Sequence, residues 1–332
     1  MATVYVARTE GRLVALKTIL GEYARNEEFV RMFLDEARLV SRLAHPNIVR
    51  TFAAGREGAT AFIAMELLAG QSLLAVWDAC RARGVRLRYE MTAWIGARVA
   101  EGLQYAHGLR DERGEPCHIV HRDVNPSNVF LTYDGEVKII DFGLAKAANR
   151  ASKTATGVIK GKIAYMSPEQ AMGEPVDRRT DVFALATTLW ELACDRRLFR
   201  GDDEVATLER VQAARVPDPT RLVAGFPPGL WRPLERALAR DREERTATAA
   251  ELGRELDAFA GPAMGAAAVA DVVRELFPEG RARLARWQHA PPAAAPAQAP
   301  GPGHRRVAIT VLVGIGAALL VAVVAAVALS LR

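Results

Sequence analysis

Thr3-Val4-Tyr5-Val6-Ala7 alternates β-branched and aromatic side chains with smaller ones, a strand pattern. Glu10-Gly11-Arg12 is a polar turn, and Leu13-Val14-Ala15-Leu16 is a second apolar run that ends on Lys17, so the chain opens with a hairpin. Over residues 26–44 the apolar period lengthens. Phe29, Met32, Phe33, Leu39, Val40 and Leu43 fall at helical spacing, and His45-Pro46 closes that helix because a residue before proline is pushed out of the α region. Phe62-Ile63-Ala64-Met65 reads as a strand. Val129-Phe130-Leu131 and Val137-Lys138-Ile139-Ile140 flank Asp134-Gly135, a second hairpin. The rest, to about residue 260, is helix-rich and carries no internal repeat.

The last stretch is of another kind. Residues 290–303, APPAAAPAQAPGPG, form an extended tether. Residues 307–331 contain no charge, and Thr310 and Ser330 are their only hydroxyls. At ~1.5 Å per residue a helix of this run crosses a hydrocarbon core of ~30 Å with some tilt. His304-Arg305-Arg306 precedes it and Arg332 follows, which puts the front of the protein in the cytoplasm by the positive-inside rule. Gly314 and Ala318 could pair two copies through a small-residue face. No amino-terminal signal peptide is expected.

Composition adds limits. The 332 residues carry a net charge of +5 spread along the chain, with no basic block, so nucleic acid is not an expected partner. Cys80, Cys117 and Cys194 are far apart and odd in number, which argues for a reducing compartment and against zinc or a disulfide framework. Lysine is scarce beside arginine, which makes each lysine informative.

Lys17 ends an apolar strand and Glu36 lies in the amphipathic helix. His121-Arg122-Asp123-Val124-Asn125-Pro126-Ser127-Asn128 stands just before the second hairpin, and Asp141-Phe142-Gly143 just after it. Two carboxylates and an amide thus meet at the mouth of one hairpin, a donor set suited to magnesium. With VALK, the EA pair of the helix, HPNIV, HRDxxPxN, DFG and SPE in that order, the chain resembles a bacterial eukaryotic-like (Hanks-type) serine/threonine protein kinase over residues 1 to about 260.

The resemblance implies an α+β, bilobal kinase fold plus one carboxy-terminal transmembrane helix. The small lobe would be residues 1–68 and the large lobe 69–260, followed by a helical extension (261–289), a linker (290–306) and the membrane helix (307–331). It implies transfer of the ATP γ-phosphate to serine or threonine hydroxyls of protein substrates, with Mg²⁺ or Mn²⁺. Lys17 would hold the α/β-phosphates and pair with Glu36, while Asp123 would accept the hydroxyl proton. Asn128 and Asp141 would bind the metal. Val4 and Ala15 would pack on adenine, and Met65, Glu66 and Leu68 would form the hinge that meets its edge. Asp181 resembles the helix acid that braces the HRD backbone, and Glu169 is expected to pair with Arg245. The implied place is the bacterial inner membrane, single-pass, with the kinase domain cytoplasmic, and a homodimer could form through the small-residue face above.

Two positions depart from the family pattern. Asn125 stands where a lysine usually contacts the γ-phosphate, and Lys162 where a threonine usually precedes SPE. Lys162 either restores the missing charge at the γ-phosphate or faces the substrate and selects an acidic side chain. Between DFG and SPE, Ser152, Thr154 and Thr156 are candidate phosphosites, Thr154 or Thr156 first, with Arg122 to grip the phosphate. The start also departs. Met1-Ala2-Thr3-Val4-Tyr5 matches the end of the glycine-rich phrase GGMAxVY, so the first strand and two of its glycines are expected upstream of Met1. The other account is a shortened, catalytically silent scaffold.

Overall fold

A computed structural model describes residues 2–9, 12–19, 26–58, 60–142, 162–289, 306–312 and 327–330. These divide into two compact units, Met1–Ala44 with Val49–Ala69 and Pro278–Arg332, and His45–Ile48 with Gly70–Phe277.

In the first unit, β1 (Ala2–Thr9), β2 (Arg12–Ile19), β3 (Thr51–Glu57) and β4 (Thr60–Glu66) pair antiparallel in the order β3-β4-β2-β1. Helix α1 (Glu27–Val40) starts at Asn26, whose side chain accepts from the Glu28 and Phe29 amides, and it stops at Val40, sooner than its apolar spacing suggests. Strand alternation sorts the side chains. Val14, Leu16, Phe62 and Ala64 bury one face with Ala7, while Ile19, Ala61 and Ile63 pack against Val30, Phe33 and Ala37 of α1.

The second unit is built around β5 (Gly70–Ser72), long helices α2 (Leu73–Ala82) and α3 (Tyr89–His107), and the hairpin β6 (Val129–Thr132) and β7 (Val137–Ile139). A short 3₁₀ turn (Ile163–Tyr165) leads to α4 (Pro168–Met172) and to α5 (Arg179–Cys194), buried from Thr180 onward. Then follow α6 (Glu204–Ala213), α7 (Pro219–Leu222), α8 (Pro228–Ala237), α9 (Ala249–Ala260) and α10 (Ala266–Leu276). Gly135 turns the hairpin with φ +86°, and a Cβ there would lie 1.8 Å from the Ala266 carbonyl oxygen, so glycine is required twice over. Arg274 Nε of α10 donates to the Tyr133 carbonyl at 2.8 Å, on the same turn.

Helix α11 (Gly280–His289) falls within the extension expected over 261–289 and sorts with the first unit, where Arg8 Nη2 donates to the Trp287 carbonyl at 3.1 Å. The expected membrane helix is not found among the described residues, in which no helix is long and apolar enough to cross a membrane. Residues 313–326 of that run, and 290–305 of the tether, lie outside the described residues. The described ends are strands, β8 (Arg306–Leu312) and β9 (Val327–Ser330), paired antiparallel. Val307, Ile309, Thr310 and Val311 favour extended backbone, and β8 finds its other partner in β1 through Val6, Ala7 and Arg8.

Candidate active site

The first unit carries its candidates on one sheet face. Directly opposed residues of antiparallel strands share a face. Lys17 opposes Val4 of β1 and Ile63 of β4, and Ala15 opposes Val6 and Met65. The register therefore gathers Val4, Ala15, Lys17 and Met65 on the face that α1 covers. Val4 is 60% exposed and Ala15 buried, as a wall with one open end requires. Glu66 is fixed by Arg50, whose amide donates to its Oε1 at 2.8 Å and whose carbonyl accepts its amide at 2.9 Å. Leu68 follows β4. Glu36 lies in α1 one residue before Ala37; its side chain, and with it the Lys17 pairing, lies outside what is described.

The second unit carries the rest around one buried acid. Asp181, near the start of α5, is fully buried, and three donors converge on it. His121 N donates to Oδ2 at 2.8 Å, Arg122 N to Oδ1 at 2.8 Å, and His107 Nε2 lies 2.7 Å from Oδ2. Burial pushes this carboxyl up, but the hydrogen bond and charge from His107 and the hydrogen bond from the His121 amide outweigh it and hold it below its ordinary value. His121 itself is held below the ordinary histidine value by burial, so its ring is neutral. Its Nδ1 accepts from Asp123 N and its Nε2 donates to the Ile140 carbonyl, both at 3.2 Å. The ring sits 4.5 Å from that of Phe142. One imidazole thus ties the segment before the hairpin to the segment after it.

Asp123 is the focus of that loop. Its carbonyl accepts from Asn125 Nδ2 and Asn128 Nδ2, both at 2.8 Å, and its Oδ2 accepts from Asn128 Nδ2 at 2.9 Å and Lys162 Nζ at 3.0 Å. Asn125 is buried and closes the loop, because its Oδ1 also accepts from Ser127 N at 2.9 Å. Ile140 N donates to the Asn128 carbonyl at 2.9 Å, which brings Asn128 and Asp141 to the same mouth of the hairpin. Asp141 and Arg122 both hold left-handed backbone, φ 57° and 64°, a strain typical of functional loops.

A divalent cation of the magnesium kind fits this donor set. Asn128 spends its nitrogen on Asp123 and so offers its amide oxygen, and Asp141, next to Ile140, supplies a carboxylate at the same end of the hairpin. Two protein oxygens completed by water and phosphate oxygens are what Mg²⁺ commonly takes.

The segment from Tyr165 to Gln170 is anchored by buried charge. Arg245 clasps Glu169 through both carboxylate oxygens, and Thr180 Oγ1 adds a bond to Oε1 at 2.7 Å. The expected Glu169–Arg245 pair is thus formed. Tyr165 Oη donates to Glu191 Oε2 at 2.7 Å, Arg197 contacts both, and Leu198 N donates to Glu191 Oε1 at 2.8 Å. Burial and the Glu191 charge push the Tyr165 hydroxyl far up, so it remains a donor. Gln170 Nε2 donates to the Arg122 carbonyl at 3.1 Å and joins α4 to the catalytic loop. His107, Asn47 (Nδ2 to the Val137 carbonyl, 2.9 Å) and the Tyr165–Glu191–Arg197 cluster were not singled out by sequence reading. Ser152, Thr154 and Thr156 lie outside the described residues.

Comparison with known proteins follows the same lines. The family model for the protein kinase domain matches residues 1–252. A tyrosine-protein kinase, MasK of Myxococcus xanthus, is 40% identical over 268 residues, covering 78% of this chain and 41% of its own length. A probable serine/threonine-protein kinase of Clostridium perfringens is 34% identical over 260 residues, 77% of this chain and 36% of its own. The serine/threonine-protein kinase PknL of Mycobacterium tuberculosis is 35% identical over 249 residues, 75% and 59%. The chain thus spans about two fifths of the first two relatives. The solved PknI kinase domain of M. tuberculosis aligns with a TM-score of 0.58 at 28% identity, covering 78% of this chain and 91% of that one.

Proposed function

The chain belongs to the protein kinase family, and from that premise we propose that it transfers the γ-phosphate of ATP to serine and threonine hydroxyls of protein substrates. The observation that carries the reading is the fixed Asp123 carboxylate. It is set by the Asp181-braced loop and held at Oδ2 by Asn128 and Lys162. In this reading Asp123 orients the acceptor hydroxyl and takes its proton. Lys17 binds the α/β-phosphates, and Val4, Ala15, Met65, Glu66 and Leu68 seat the adenine. A bound Mg²⁺ supplies charge neutralisation on the phosphates. The serine/threonine preference is supported by the named kinases of Clostridium and Mycobacterium; the tyrosine kinase of Myxococcus makes tyrosine the alternative acceptor.

Activity is tuned, in the same reading, by phosphorylation of Ser152, Thr154 or Thr156. Arg122 Nε is buried without a hydrogen-bond partner among the described residues, which suits a guanidinium waiting for a phosphate. Membrane attachment through residues 307–331, with the kinase on the cytoplasmic side, is supported by the uncharged run and the basic residues before it. In hydrocarbon such a run turns helical because each backbone group must be satisfied internally; fractionation of cells with and without 307–332 tests it.

The kinase reading is tested by Mg²⁺-dependent transfer of labelled phosphate from ATP by the full chain, followed by phosphoamino-acid identification. Asp123→Asn is expected to lower the rate about 10²- to 10⁴-fold while the protein stays folded. A folded wild-type chain that transfers nothing would leave the silent scaffold.

A further inference from the structure

The two departures from the family pattern meet at one carboxylate. Lys162 Nζ lies 3.0 Å from Asp123 Oδ2. Asn125 has no charge to give, and both ends of its amide are spent inside the loop, Nδ2 on the Asp123 carbonyl and Oδ1 on Ser127 N. The cation beside Asp123 therefore comes from the segment that precedes SPE. That segment is well held. Tyr165 N donates to the Lys162 carbonyl at 3.2 Å, and the Tyr165 hydroxyl is gripped by buried Glu191 and by Arg197. The lysine stem thus has a fixed root. Its side chain is 36% exposed while that of Asp123 is 9% exposed, so the ammonium reaches the carboxylate from the open side.

Resting on the phosphoryl-transfer reading above, we propose that Lys162 is a catalytic residue. Its ammonium contacts the γ-phosphoryl oxygens during transfer and does the work left undone by Asn125. In the step, the acceptor oxygen forms its bond to the γ-phosphorus as the bond from that phosphorus to the β,γ-bridging oxygen breaks. The electron pair of the broken bond leaves on ADP, and the hydroxyl proton goes to the Asp123 carboxylate. An ammonium carries three donors, so holding Asp123 and holding a phosphoryl oxygen are compatible. Held between the two, Lys162 keeps the base aligned and balances charge on the moving phosphoryl group. This placement puts the cation where charge develops, in contrast to a lysine that only selects an acidic substrate.

The test uses the full chain, Mg²⁺-ATP and a neutral acceptor peptide. Lys162→Met is expected to lower kcat about 10²- to 10³-fold, the loss typical of one transition-state donor, with KM for ATP little changed. In Lys162→Ala, added ethylammonium should restore turnover in proportion to its concentration, because the missing group is a cation and not a packing element. A second readout needs no turnover. The preference for Mg²⁺-ATP over Mg²⁺-ADP in equilibrium binding should shrink in Lys162→Met, since the lost contact is to the γ-phosphate. Unchanged kcat on the neutral peptide, or a loss seen only on acidic peptides, overturns the proposal. So does an unchanged ATP-to-ADP preference without amine rescue. If the wild type transfers no phosphate but shows a Lys162-dependent preference for ATP, the kinase reading fails while the phosphate contact stands. If it binds neither nucleotide, both fall.

Discussion

Arg245 Nη1 and Nη2 donate to the two oxygens of Glu169 at 2.9 and 3.1 Å, and the two side chains are 0% and 4% exposed. The pair joins the residue after Pro168 to a loop 76 positions on. Arg245→Leu strands a buried carboxylate and is expected to cost about 3–5 kcal/mol, read by denaturant unfolding. Glu169→Gln with Arg245→Met together should cost less than the sum of the single changes.

Acid exposes the same pair. Burial pushes the Glu169 carboxyl up, but the Arg245 bonds and charge, with Thr180, outweigh it and hold it below 4.5. A depressed carboxylate contributes stability that is present above its unfolded pKa and lost as pH falls through the folded value. Wild type should therefore lose stability steadily below about pH 4.5, and Glu169→Gln should flatten that part of the profile in unfolding curves taken at stepped pH.

His121 acts in a higher window. Its folded value is depressed below 6.5 by burial, so charging the ring opposes folding as pH falls from 6.5 toward that lower value. His121→Asn should be less stable than wild type at pH 8, and the gap should narrow as the pH drops through this window. A constant gap across it would mean the ring does not titrate with folding.

Asp181→Ala removes the acceptor for two backbone amides and an imidazole nitrogen at once. A buried donor left unmade costs about 1–3 kcal/mol, so a loss of several kcal/mol is expected, and turnover should fall further because the Asp123 loop loses its brace. Thermal melting and kcat, measured together, separate the two effects.

Tyr165→Phe deletes one hydroxyl from the Glu191–Arg197 cluster. It should cost about 1–3 kcal/mol and lower kcat more than KM for ATP, because the root of Lys162 is loosened while the sheet of β1, β2 and β4, proposed to seat the nucleotide, is untouched.

Much of this was legible in the chain itself, where chemistry and turn residues coincide. The hairpin of β6 and β7 announces itself by Asp134-Gly135, and HRD and DFG flank it, so Asp123, Asn128 and Asp141 could be placed together. The Glu169–Arg245 and Asp181 contacts were within reach of the same pattern. Strand β3 was not, because Thr51-Phe52-Ala53-Ala54-Gly55 has weak strand character and forms only against β4. The Tyr165–Glu191–Arg197 cluster is assembled from positions with no mutual spacing rule, and nothing in a one-dimensional pattern brings them together. Of residues 307–331 only 307–312 and 327–330 are described, and these are extended. A short β-branched apolar run reads equally as helix or strand, and the choice falls to whatever partner or solvent it meets.

Helix α10 has a practical consequence for where the protein can be cut. The family match ends at residue 252, yet Ala266 seats the Gly135 turn, Arg274 fastens Tyr133, and Arg83 donates to the carbonyls of Glu275 and Leu276 at 3.2 and 3.1 Å. A fragment trimmed to the match would keep every signature residue and lose the buttress under the catalytic hairpin. The second unit itself runs to Phe277, a boundary that no motif marks.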